Sequence, residues 1–156
     1  MINISREVHS WEIDGAWSVS PGVSWCAKGF KIKVGSRVYI GDRVSIRNEA
    51  RIGFDAEILC GACIDTAARV FSGASVGCWA LVGTGSTFVA NIGSSDGYSK
   101  ALCSLDGVAY IGSGCRWFTI NAAAEHWGNH EEDRSMASCL LESAKAIANL
   151  KGLKFS

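Results

Sequence analysis

The chain has 156 residues, enough for one compact domain with a small appendage but not for two full domains. Lys plus Arg number 15 and Asp plus Glu number 15, so no net field draws the chain to nucleic acid or to an anionic membrane surface. Eighteen glycines against one proline, Pro21, exclude a helical bundle and a disordered linker and point to many tight turns.

Residues 1–33 read as an N-terminal aromatic cap. The stretch from Met1 to Asp14 carries charges and no apolar run of signal-peptide length, and no later stretch approaches a membrane span. A soluble, cytoplasmic protein is therefore expected. Trp11, Trp17 and Val23 step by six, with Trp25 close behind, but eleven residues separate Val23 from Val34, so this series is out of phase with the one that follows. A degenerate first coil that plugs the open end of a repeat explains such rings. Carbohydrate binding through Trp11, Trp17 and Trp25 is the competing reading. His9 has no visible partner.

From Val34 an apolar residue returns at every sixth position: Val34, Ile40, Ile46, Ile52, Ile58, Ile64, Val70, Val76 and Val82, with Phe88 closing the series. Two residues earlier runs a second column that starts branched and turns small: Ile32, Val38, Val44, Ala50, Ala56, Ala62, Ala68, Ala74, Ala80 and Ser86. A helix would space its apolar residues by three and four, and a half-buried strand by two. A strict six arises when short strands alternate with sharp corners, so that one inward position recurs on each face of a stacked solenoid. The branched residue fills the interior and the small one sits by the corner. Glycine directly after the branched residue, as in Val34-Gly35, Ile40-Gly41, Ile52-Gly53, Val76-Gly77 and Val82-Gly83, is expected to supply special backbone angles and close approach.

These residues resemble the hexapeptide-repeat family, in which each branched residue is followed four positions later by a small or branched one. The resemblance implies an all-β fold, a left-handed parallel β-helix of triangular section over residues 34–93, with three hexads per coil. Its handedness comes from the resemblance alone, since parallel crossovers are normally right-handed. It also implies a homotrimer. The best-known members are acyltransferases using coenzyme A or an acyl carrier protein, with a coil histidine as general base, and others are carbonic anhydrases with three coil histidines on a metal. Between residues 10 and 125 this chain has no histidine, so neither site can be carried over.

Stacking places residues one coil apart side by side at about 4.8 Å, so the outer faces can be read directly. One face is solvated, with Arg47, Asn48, Glu49 and Arg51 over Asp65, Thr66 and Arg69 and then Gly83, Thr84 and Thr87, Arg47 lying on Asp65. A second carries Asp42 and Arg43, then Leu59, Cys60 and Cys63, then Cys78, Trp79 and Leu81. Its apolar exterior calls for a cover, either a subunit interface or the C-terminal segment. The third is mixed, with Tyr39, Phe54, Asp55, Glu57 and Phe71. Cys60 and Cys63 have CxxC spacing, but no second ligand pair stands at zinc-finger distance and no βαβ setting suggests a thioredoxin site. Reduced, packed thiols are expected.

Residues 94–156 read as a C-terminal β-hairpin and helices. Ser94 to Gly97 forms a turn, and residues 98–104 and 108–114 are strands joined around Leu105-Asp106-Gly107, whose Asp-Gly pair suits a two-residue hairpin. Thr119 caps a short helix with Ile120, Ala123, Ala124 and Trp127 on its apolar face and Gly128 at its end. Asn129 and Glu132 form a capping box for a longer helix, with Glu131 and Asp133 in its first turn, that runs to about Leu150 with Met136, Leu140, Ala144 and Ile147 on one face and Gly152 as its stop. The stretch from Gly114 to Thr119, followed by His126-Trp127, looks similar to segments of uncharacterised bacterial proteins and brings no assigned chemistry.

His126 and His130 are the candidate catalytic residues. Their spacing of four suits one helix face, but Gly128 and Asn129 intervene and break the helix. No metal site is expected. The function expected is a hexapeptide-repeat scaffold or binding module, homotrimeric, without the family's catalytic histidine and without a cofactor, taking no nucleic acid and no membrane but a small-molecule or carbohydrate ligand at subunit clefts. The alternative is a coenzyme-A-dependent acyltransferase, with acyl-CoA as its co-substrate and a base supplied from the extension.

Overall fold

The computed structural model describes residues 2–5, 10–13, 17–19, 23–27, 30–95, 98–128 and 134–155, with side chains at 32–94, 98–127 and 138–155. The six-residue period becomes three faces of a parallel β-solenoid. β5 (Phe30–Val34), β6 (Val38–Ile40) and β7 (Ser45–Arg47) make the first coil, and β8 (Arg51–Ile52), β9 (Glu57–Ile58) and β10 (Cys63–Ile64) the second. β11 (Arg69–Val70), β12 (Ser75–Val76) and β13 (Leu81–Val82) make the third, and β14 (Thr87–Ser95) opens a fourth. Each strand lies parallel to its counterpart one coil away, with Cys63 paired to both Ser45 and Leu81, Glu57 to Tyr39 and Ser75, and Arg69 to Arg51 and Thr87. Both columns of the repeat are buried at every step, none of their side chains more than 5% exposed.

The corners show where the repeat bends. Positive φ recurs every six residues at Arg37, Arg43, Glu49, Asp55, Gly61, Ala67, Gly73, Trp79 and Gly85. Most of these corners are closed by a bond from the small residue back three positions, as in Ala50 N to Arg47 O at 3.2 Å and Ala80 N to Gly77 O at 3.2 Å. Left-handed geometry at the third turn position is the mark of a type II turn. The N–H of the left-handed residue donates across coils, as from Gly61 to Asp42 O and from Trp79 to Cys60 O at 2.8 and 2.9 Å. In the same column Arg37 grips Asp55 with two bonds of 2.6 and 2.9 Å. The Arg37 hydrogen bond holds the Asp55 carboxyl below its ordinary range. Arg47 meets Asp65 at 3.7 Å on the solvated face.

The glycines that follow the branched residues are not the ones with positive φ, which corrects the expectation of special angles there. Their role is close approach. A Cβ on Gly35 would stand 2.5 Å from Phe54 N, and one on Gly53 would stand 2.5 Å from Ser72 N. The turn requirement falls two residues further on.

The N-terminal segment resolves the phase break. β1 (Ile2–Ser5) and β2 (Ser10–Ile13) pair antiparallel, after which β2 pairs with β7, β3 (Trp17–Val19) with β6 and β4 (Val23–Ala27) with β5, all antiparallel. The chain thus visits the three faces in one order, reverses at the β4–β5 hairpin, and returns past them in the opposite order. One register holds throughout: Trp11 is opposite Ile46, Trp17 opposite Ile40, Val23 opposite Val34 and Trp25 opposite Ile32. The partners are all buried. The eleven-residue gap is the hairpin, and the first coil's open edge receives strand partners on every face.

At the other end β14 continues into an antiparallel extension of the same sheet, β15 (Tyr98–Leu105), β16 (Val108–Ser113) and β17 (Arg116–Thr119). β14 runs on to Ser95 with register shifts after Phe88 and Asn91, the kind of irregularity that bends a strand. The extension folds back over the third coil: Ser99 N donates to Cys78 O and Gly114 N to Trp79 O, at 2.9 and 2.7 Å. A Cβ on Gly112 would lie 2.0 Å from Leu81 O. Alternation then sorts β15, because Ala101 and Cys103 join the solenoid core while Leu102 joins a second core under the helices. Burial pushes the Cys103 thiol up to about 12.

The hairpin turn has positive φ at Asp106 and Gly107, the type I′ requirement. α1 (Ile120–Gly128) is capped by Thr119 Oγ1, which accepts from Ala122 N at 3.1 Å. α2 (Arg134–Leu150) packs with it through Leu140, Ala144 and Ala148 against Ile92, Leu102, Ala109 and Ile111. Gly152, at φ 68, turns the chain after α2. The capping box at Asn129 and the turn at Asp96 and Gly97 lie outside the described residues, and the side chain of Met136 does too. Among the described residues no helix is long and apolar enough to cross a membrane.

The two glycine classes separate by mutation. Gly53→Ala is expected to cost about 3 kcal/mol by forcing coils apart, whereas Gly73→Ala, at φ 76 with open space around it, should cost about 1 kcal/mol from backbone conformation alone. Urea unfolding of the two variants measures the difference.

Candidate functional site

A cavity of about 680 Å³ opens where the solenoid meets its extension. Five separate pieces of chain build it: the corner residue Gly61, the corner residue Trp79 one coil on, Tyr98 and Lys100 of β15, the run from Ser113 through Arg116 with Phe118 of β17, and His126 and Trp127 of α1. The corner wall depends on Gly61, since a Cβ there would fall 2.4 Å from the Trp79 ring. Trp79 itself holds φ 60, a genuine outlier for so bulky a residue. That conformation is set by the repeat, which makes the same corner position left-handed every sixth residue. Tyr98 meets the Trp79 ring edge-on at 6.2 Å.

Lys100 is only 2% exposed. Its Nζ donates to Ser113 Oγ at 3.0 Å and to Tyr98 O at 3.2 Å. The same nitrogen lies 5.8 Å from the centre of the Tyr98 ring and 6.0 Å from that of Trp127, within cation–π range. On β17 the alternation divides neighbours. Trp117 stacks on Tyr110 at 5.2 Å and covers Gly83, while Arg116 and Phe118 line the cavity. Phe118 stacks on the His126 ring at 5.1 Å and meets Trp127 edge-on at 6.4 Å.

Arg116 Nη1 contacts His126 Nε2 directly. A guanidinium only donates, so Nε2 accepts in this contact and its lone pair is engaged. A general base needs that lone pair within reach of the acceptor's proton. In this arrangement the His126 Nε2 lone pair is directed at Arg116. Lys100 and Arg116 likewise offer N–H donors and no acceptor, so the cavity favours a ligand rich in acceptors that also has a flat or apolar body for the rings.

Of the candidate catalytic residues, His126 lines this cavity and His130 lies outside the described residues, as do His9 and the side chains of Trp11, Trp17 and Trp25. On the apolar face the structure buries Leu81 to 8% exposure beneath β16, leaves Leu59, Cys63 and Cys78 half-buried and Cys60 exposed, and turns Trp79 into a cavity wall. Burial, then Asp65, raises the Cys63 thiol above its ordinary range. Among the described residues, no three His, Cys, Asp or Glu side chains are grouped to hold a metal ion. Tyr98 and Lys100 escaped the sequence reading, and Arg116 and Phe118 stood in the singled-out stretch from Gly114 to Thr119 without a role. The one available signal was Lys100, a charged residue in phase with Leu102 on an alternating strand. No protein-family model, curated protein or solved structure matches the chain.

Ser113→Ala should lower stability by about 2 kcal/mol, because it removes an acceptor from a buried basic side chain. Equilibrium unfolding in urea checks this.

Proposed function

We propose that the protein is a small-molecule binding module on a hexapeptide-repeat-like frame, and that its ligand is a compact anion with a planar or apolar body. The observation that carries this reading is the convergence of Lys100, Arg116 and His126 with the rings of Trp79, Tyr98, Phe118 and Trp127 on one cavity. Arg116 supplies charge-assisted donors for a carboxylate or phosphate, Lys100 and His126 add N–H groups, and the rings supply the apolar walls usual in such sites. Left-handed coiling, homotrimeric assembly and a cytoplasmic location belong to the same proposal. The first two rest on the six-residue repeat and on exposed Tyr39, Phe54 and Phe71 as surface for a neighbouring subunit. In the alternative, an acyltransferase whose base is His126 or His130, the Arg116 contact weighs against His126.

Calorimetric titration with aromatic carboxylates and phosphates tests the binding reading. Arg116→Gln is expected to weaken binding at least tenfold, about 1.4 kcal/mol. Trp79→Gly removes a ring while suiting the positive φ, and should have a similar effect. Absence of binding by every planar anion, or binding indifferent to both substitutions, would overturn the proposal. Release of free coenzyme A from acetyl-coenzyme A with a hydroxyl or amine acceptor, lost in His126→Ala, would establish the enzyme instead. Light scattering is expected to give three subunits, and a stable monomer would remove the trimer.

A further inference from the structure

We infer that Cys60 and Cys78 form a thiol–disulfide modification site whose oxidation staples the second coil to the third. The two side chains occupy equivalent corner positions eighteen residues apart, their sulfurs 2.7 Å from each other. Both are free thiols. Their backbones are fixed on either side by the parallel pairs Glu57 with Ser75 and Cys63 with Leu81, and at the corner by Trp79 N donating to Cys60 O at 2.9 Å. A coil spacing of about 4.8 Å falls inside the roughly 4.4–6.8 Å between Cα atoms that a disulfide spans. The bond can thus close without moving the coils.

Selectivity follows from placement. Cys60 is exposed and meets solvent oxidants first, while half-buried Cys78 waits beside it. Cys63, the apparent partner in the CxxC spacing, is in register with Ser45 and Leu81 rather than with a thiol. Cys103 is sealed in the core, and Cys115 and Cys139 lie on other elements. The contact with Cys78, followed by burial and Asp42, raises the Cys60 thiol above its ordinary range.

The oxidant is a small-molecule disulfide such as oxidised glutathione. Cys60 thiolate attacks one of its sulfurs, the external S–S bond breaks, and one thiolate leaves. Cys78 thiolate then attacks Cys60 Sγ and expels the second. The protein pair loses two electrons, the external disulfide gains them, and the two cysteine protons end on the two departing thiols.

The test uses the full chain, reduced, then equilibrated with oxidised glutathione, alkylated and mapped by mass spectrometry. Two of the seven cysteines should become unavailable to alkylation, joined as Cys60–Cys78, with a rise in the urea midpoint that dithiothreitol reverses. Cys63→Ser and Cys115→Ser should retain the crosslink. Cys78→Ser should stop at glutathionylated Cys60, which shows that the first step proceeds when the second cannot. A wild-type protein that accumulates only glutathionylated Cys60, that joins Cys60 to Cys63, or that loses no thiols would overturn the inference.

Discussion

A left-handed backbone conformation imposed every sixth residue is the constraint on which this structure depends. It turns a chain of two- and three-residue strands through a corner, and everything else follows from repeating it. The inward residue returns to the core, the small residue tucks beside the corner, and the left-handed N–H reaches across to the neighbouring coil. L-residues at such a position cost about 1–2 kcal/mol each, yet Arg37, Arg43, Glu49, Asp55, Ala67 and Trp79 all adopt it. The cross-coil bonds and the burial on either side hold them there. Glycine takes the corner at Gly61, Gly73 and Gly85 and is used again at Gly35, Gly41 and Gly53, where one coil's backbone presses on the next.

The same periodicity explains what was legible in the sequence. Ten steps of six specified the coil, the buried columns and the stacking neighbours, including Arg47 on Asp65. They also placed Cys60, Cys63 and Cys78 on one face. The N-terminal series looked out of phase because a phase can only be compared along one direction. Once β4 reverses at the hairpin, Trp11, Trp17 and Val23 fall opposite Ile46, Ile40 and Val34 in the six-step register, run backwards.

The site was far less legible, for a physical reason. Its residues come from corners, a hairpin strand, a turn and a helix, and no local pattern announces that these will meet. β17 hides in Arg116-Trp117-Phe118-Thr119 because two adjacent rings mask the alternation. Trp117 and Phe118 read alike until the structure shows one covering Gly83 and the other stacking on His126. His126 stood out in the sequence as a titratable group. Its Nε2 meets the Arg116 guanidinium.

Here the extension makes a concave surface within one chain. β14 leaves the coil, bends, and brings β15 and β16 back over the third coil, so that a corner residue of the repeat faces a helix it could never reach in a longer, uninterrupted stack. Trp79 is where the two systems meet. Its φ is set by the repeat, its ring lies on Gly61 one coil below, and its carbonyl accepts from Gly114 in the extension. Cys60 and Cys78 immediately precede the two residues of that wall. A covalent bond between them would lock the part of the corner column that the cavity leans on, so the oxidation state of one outer face and the shape of the site share a single structural element.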